Sequence, residues 1–164
     1  MKNKLFWILS VLLYANNLCA QSALPREAWM QPIEALFAGL NQGDSALART
    51  AFLPGATLAT VVPDEAGNAA VRRNDLGRLL TGIGTPRKET WTEPIWNVSA
   101  QQHGPFVQVW CEYAFYVDKR LSHCGIDTFQ LVRDKAGNWK IMHLTDTRQQ
   151  QGCQVPAAVA DQFR

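Results

Sequence analysis

The chain has 164 residues, 16 basic and 14 acidic, with 47% hydrophobic content, a size and apolarity that suit one folded domain with a sizeable core. Setting aside Lys2 and Lys4 balances 14 basic against 14 acidic residues, so what remains has no electrostatic footprint for nucleic acid. No fixed-period repeat points to a solenoid or propeller, and no later segment is long and apolar enough to span a membrane.

Residues 1–20 combine a basic start, an apolar run from Leu5 to Tyr14 and a small-residue ending at Leu18-Cys19-Ala20. This is the layout of a secretory signal, predicted to be cut after Ala20. The run is about half the length of a spanning helix, so an anchor fits less well. Leu18 before Cys19 is not the small residue a lipid-attachment signal would place there. The expectation is an exported chain, secreted or periplasmic, with a domain over 21–153 and a tail over 154–164.

In the mature region, Trp29, Ile33, Leu36, Phe37 and Leu40 recur at helical spacing. Gly43 stops that helix and Asp44 caps a short second one over 45–49. The β-branched stretch 57–62 predicts a strand, and 63–73, with Pro, Asp, Gly and Asn, a loop. Asn74 is read as the cap of a helix over 75–80, ended by Gly82, Gly84 and Pro86. Four strands follow, over 91–100, 105–117, 122–133 and 138–147, joined by short polar connections. Helices followed by antiparallel strands make an α+β domain.

Export permits a disulfide among Cys111, Cys124 and Cys153. A tight turn at 118–120 sets Cys124 opposite Tyr113 or Phe115 and away from Cys111, while Cys153, beyond Gly152, can reach back. Cys124–Cys153 is therefore the expected bridge, with Cys111 a buried thiol; three free thiols is the alternative.

Several segments together resemble a known family. LFAGLNQGD (36–44), PGATL (54–58), VWCEYAFYVDKRLSHCGIDTFQLVRD (109–134) and NWKIMHLTDTR (138–148) are similar to the nuclear transport factor 2-like superfamily. Its SnoaL-like members and small exported bacterial proteins labelled lumazine-binding are the nearest in character. The resemblance covers about 28–153. It implies a cone, a curved sheet wrapped around N-terminal helices with a pocket at the open end, and homodimers formed through the outer sheet face. It also implies that a pocket carboxylate or histidine can serve proton transfer, as in isomerase and cyclase relatives.

Hairpin arithmetic assigns faces independently of the family. A tight turn at 118–121 pairs even positions of 105–117 with odd positions of 122–133, and the turn at 134–138 pairs odd with odd. One face then carries Trp110, Glu112, Asp127, Phe129, Leu131, Trp139, Ile141 and His143. Asp127, His143 and Glu112 are the candidate acid–base groups, and Trp110, Glu112, Tyr116, Asp127, Phe129 and His143 the candidate ligand contacts. The alternative is a satisfied hydrogen-bonded set around Asp127 with no chemistry. A single bulge would turn Glu112 out of the pocket.

The opposite face carries Val107, Val109, Tyr113, Phe115 and Ile126, too apolar for solvent. A second copy of the chain or the C-terminal tail would cover it. Asp146 and Arg148 could form a local ion pair or touch ligand. His103, His123 and His143 lack metal-ligand spacing, and no phosphate loop, dinucleotide fingerprint or nucleophile elbow occurs, so no metal or cofactor is expected. The function expected is an exported protein binding a small apolar or aromatic molecule. A proton-transfer enzyme and a protein-interaction module are the rivals.

Overall fold

A computed structural model describes residues 26–164, and the segment 1–20 expected to be an export signal lies outside the described residues. Helix α1 (Arg26–Gln42) and the short α2 (Ser45–Thr50) precede β1 (Phe52–Pro63), β2 (Ala69–Asn74) and α3 (Leu76–Gly84). Then come β3 (Trp91–Thr92), β4 (Ile95–His103), β5 (Phe106–Val117), β6 (Arg120–Arg133) and β7 (Trp139–Thr147). A one-turn α4 (Ala157–Ala160) and a 3₁₀ turn close the chain. The seven strands form one sheet in the order β2-β1-β7-β6-β5-β3, with β4 also on β5. β1 runs parallel to β7 and the other pairs are antiparallel, so the sheet is mixed and open.

The helices pack inside the sheet's curve. Trp29, Ile33, Leu36 and Leu40 of α1 are all buried, and meet Leu80 and Ile83 of α3 and Val107, Val109, Phe129, Leu131, Trp139 and Ile141 of the strands. Asp44 caps α2 by accepting from the Leu47 amide at 2.9 Å. The cap of α3 is Asp75, one residue after the expected Asn74, and accepts from the Arg78 amide at 2.9 Å. Part of the expected loop 63–73 is an edge strand, β2, whose residues are mostly exposed and therefore lack an apolar pattern. The expected strand 91–100 is broken at Glu93-Pro94 into β3 and β4.

Two extra residues decide which side chains face inward. At the β5–β6 turn the pairs are Val117↔Arg120 and Tyr116↔Leu121, even with odd as expected, but Phe115 then pairs with His123. Ser122 is left over, and from there odd pairs with odd: Tyr113↔Gly125, Cys111↔Asp127, Val109↔Phe129. In β6–β7, Leu131↔Ile141 gives way to Gln130↔His143, leaving Met142 over. Each bulge exchanges the two faces beyond it, because side chains alternate with period two.

The expected faces are corrected accordingly. Val107, Val109, Cys111 and Tyr113 are buried on the inner side, so they are core and not a partner surface. Trp110, Glu112 and His143 stand on the convex side. Glu112 accepts there from Trp96 Nε1 at 2.7 Å and Asn97 Nδ2 at 3.0 Å. His143 lies between Thr57 and Thr145, with Nδ1 and Nε2 each 2.7 Å from a hydroxyl. Tyr116 is also convex, stacked on Phe163 at 3.8 Å under the C-terminal segment. That segment, with Trp96, Cys153 and Val155, covers Ala114, Tyr116 and Cys124, and a Cys124–Cys153 disulfide ties it down. Cys111 is a buried free thiol.

Candidate functional site

Between α1, α3 and the inner sheet face lies a cavity of about 590 Å³. Leu36, Phe37, Leu58, Leu79, Phe115 and Leu144 give it apolar walls. Its polar groups come from one transverse row of the sheet. Arg72 pairs with Thr60, Thr60 with Asp146, Asp146 with Asp127, and Asp127 with Cys111. Ladder partners share a face, so this row crosses five strands on the inner side.

Asp127 is 2% exposed, and its Oδ2 has no hydrogen-bond donor from the rest of the protein. What it meets is Glu93, delivered from the break between β3 and β4. Pro94 fixes that break. It removes a strand amide, and it holds Glu93 in extended backbone. Two carboxylates cannot hydrogen-bond without a proton between them. Burial, followed by the Glu93 and Asp146 charges, holds the Asp127 carboxyl well above the usual carboxylate range. Burial likewise pushes Glu93 up to about 7, with Asp146 adding to it and the Asp127 hydrogen bond and Arg148 opposing. The pair therefore retains a proton near neutral pH.

The groups nearest the pair have partners. Asp146 accepts from Thr60 Oγ1 and from Arg148 Nε, both at 2.6 Å. Asn74 Nδ2 in turn donates to Thr60 at 2.8 Å. The Tyr113 hydroxyl donates to the Thr147 carbonyl at 2.8 Å, and burial raises its pKa. His123 stacks on Phe115 at 4.9 Å, and burial, with Arg148 beside it, lowers its pKa. A second pocket of about 850 Å³ between Val61–Pro63 and Gln149–Gln151 adjoins the cavity, sharing Val62, His123 and Arg148 with it.

Of the residues singled out from sequence, Asp127 lines this cavity. Phe129 is fully buried behind it, edge-on to Phe37 at 6.2 Å. Trp110, Glu112, Tyr116 and His143 are not brought to it, for the bulge reasons given above. Sequence reasoning passed over Glu93 altogether, and the signal available for it was a carboxylate followed by proline inside a strand-like run. Tyr113 was displaced with its face, His123 was weighed only for metal-ligand spacing, and Asp146 and Arg148 were noted as a local ion pair or as ligand contacts. No group of three or more His, Cys, Asp or Glu able to hold a metal occurs among the described residues.

This architecture can be compared with solved structures. A protein of unknown function with a cystatin-like fold from Nostoc punctiforme superposes with a TM-score of 0.61 at 11% identity, covering 79% of this chain and 95% of that one. A protein of unknown function from Shewanella baltica, described as nuclear transport factor 2-like, gives 0.56 at 15% identity, with 75% and 92% covered. The fold is that of the nuclear transport factor 2-like proteins. A candidate scytalone dehydratase from Novosphingobium aromaticivorans has the same fold, with a TM-score of 0.58 at 16% identity, covering 80% of this chain and 89% of that one. No protein-family model matches the sequence, and no curated protein matches it. One nuclear transport factor 2-like fold carries many unrelated sites, so the likeness is one of architecture.

Proposed function

We propose that this is an exported protein whose cone cavity binds a small, partly apolar molecule, and that Glu93 and Asp127 transfer protons to and from it. The observation that carries this reading is a carboxyl pair set where the cavity's apolar wall meets its polar row, Asp127 fully buried and Glu93 partly so, with one member titrating near neutrality. A general acid–base group is most effective when its pKa lies near the working pH. A pair that holds one proton offers an acid and a base together.

Dehydration and double-bond migration suit such a pair. In a dehydration the ionised carboxylate takes a proton from carbon, and the C–H electron pair becomes the new double bond. The C–O bond breaks, and the leaving hydroxyl departs as water with the proton of the other carboxyl. The pair ends with the one proton it began with. The candidate dehydratases among the structural neighbours, from Streptomyces avermitilis and Novosphingobium aromaticivorans, are in keeping with this reaction class. The leader-like residues 1–20 support the export half of the reading.

The test is a thermal-shift screen of the full chain against hydroxy acids, ketones and aromatic metabolites, followed by turnover of any ligand found. Turnover lost in Asp127→Asn and Glu93→Gln with ligand binding retained supports proton transfer. Unchanged turnover in both variants refutes it, and no stabilisation by any compound refutes the binding site.

A further inference from the structure

The cavity wall holds two guanidiniums that the acid–base pair does not use. Arg72 stands in the same inner row as Thr60 and Asp146, and Arg78 reaches the cavity from the first turns of α3. Among the described residues neither guanidinium forms an ion pair.

The carboxyl groups around them offset this charge only in part. Asp146 is matched by Arg148 at 2.6 Å. Glu93 and Asp127 share a proton and keep one negative charge on the β6 side, and partial burial with Arg148 beside it lowers the His123 pKa. Asp75 also lines the cavity, its Oδ1 accepting the Arg78 amide at 2.9 Å as the helix cap, and sets one carboxylate against the two guanidiniums. A positive excess therefore remains on the β2–α3 side, opposite a proton-bearing pair on the β6 side.

The spacing between the two ends is set by the ladder. Arg72 in β2 and Asp127 in β6 are separated by three strand spacings, roughly 14 Å. The long arginine side chain spans part of that distance, leaving room between the two heads for one ring system or a short chain. Leu58, Leu79, Leu144 and Phe115 line the intervening wall.

We propose that the occupant of this cavity is a small organic acid, with its carboxylate held by Arg72 and Arg78, its apolar body along the leucines, and its reactive end against Glu93 and Asp127. An amine would meet two arginines against one carboxylate, and a neutral alcohol would gain nothing from them. The guanidinium fork is the side chain best shaped to take a carboxylate through two parallel hydrogen bonds. This inference rests on the cavity being a ligand site, and the test below separates the two.

Naphthylacetate, naphthylethanol and naphthylethylamine, alike in shape and different in charge, are titrated into the full chain by calorimetry. The acid binds about tenfold tighter than the alcohol, and the amine binds most weakly. Arg72→Gln and Arg78→Gln each weaken the acid by about tenfold and leave the alcohol unchanged. Both side chains are exposed, so circular dichroism should show the fold intact. Equal binding of acid and alcohol, or preference for the amine, overturns the acid class while the ligand site stands. Binding of none of the three overturns both.

Discussion

Asp127 of β6 and Asp146 of β7 are direct ladder partners, so two carboxyl groups stand side by side on the inner wall of the cavity. Like charges directly opposite one another destabilise a sheet. The protein resolves the conflict asymmetrically. Asp146 is supplied with donors, Thr60 and Arg148 both donating to it at 2.6 Å. Asp127 has no such donors and is left with Glu93 and a proton. The site's chemistry follows from that unequal supply of donors.

Stability should fall as pH rises across the neutral range. The unfolded chain releases the Glu93 proton near 4.5, whereas the folded chain holds it to about 7. Below 4.5 both states are protonated and the group contributes nothing. Between the two values the folded state binds more protons, so stability declines until about pH 7, by at most about 3 kcal/mol. Asp127, shifted in the same direction, adds to the slope. Urea denaturation at about pH 5 and about pH 8 should show it, and Glu93→Gln should flatten the curve. A stability that rises across this window would contradict the pairing.

His143 and Glu112 should be silent in ligand binding. His143 bridges two threonines on the convex face, and Glu112 is held by Trp96 and Asn97. His143→Phe and Glu112→Gln should each cost roughly 1 kcal/mol of stability and leave the affinity of any cavity ligand unchanged. A tenfold loss of affinity in either variant would mean that the bulges are not where the structure puts them.

Gly125→Ala should be strongly destabilising. A Cβ there would run into the Thr147 carbonyl oxygen, the group that accepts from Tyr113. Backbone cannot yield as a flexible side-chain tip does, so a loss of about 2–4 kcal/mol is expected in chemical denaturation. A neutral substitution would show that β6 and β7 are further apart at this point than described.

The disulfide should be worth more to the tail than to the cone. Cys124 and Cys153 are 29 residues apart, and loop-closure entropy makes their link worth about 3 to 4 kcal/mol. In Cys153→Ser the C-terminal segment should come away from Tyr116, exposing Tyr116 and Phe163 to limited proteolysis, while the helices and sheet keep their circular dichroism. Unchanged proteolysis would show that the Tyr116–Phe163 stack holds without the bridge.

Local pattern was enough for the architecture. The helical spacing of Trp29, Ile33, Leu36 and Leu40, the Asp44 cap and the turn residues between the last strands determined helices first and hairpins after, and those features act within a few residues of one another. Asp127 was also legible, as a carboxylate flanked by strand residues that had to be buried. β2 was not, because an edge strand with mostly exposed residues carries no alternation to read.

The membership of the site was decided by tertiary structure alone. Ser122 and Met142 are ordinary residues with no glycine or proline to mark them, yet each inserts one position into a ladder. Because strand side chains alternate, those two insertions moved Tyr113 and Asp146 inward and Glu112 and His143 outward. Glu93 joined from another strand, at a break visible in the sequence only as a carboxylate before proline. Sequence by itself determined that a polar group would sit in an apolar cone. Which partner it met, and whether it would keep its proton, depended on registers that are set only when the sheet closes over its helices.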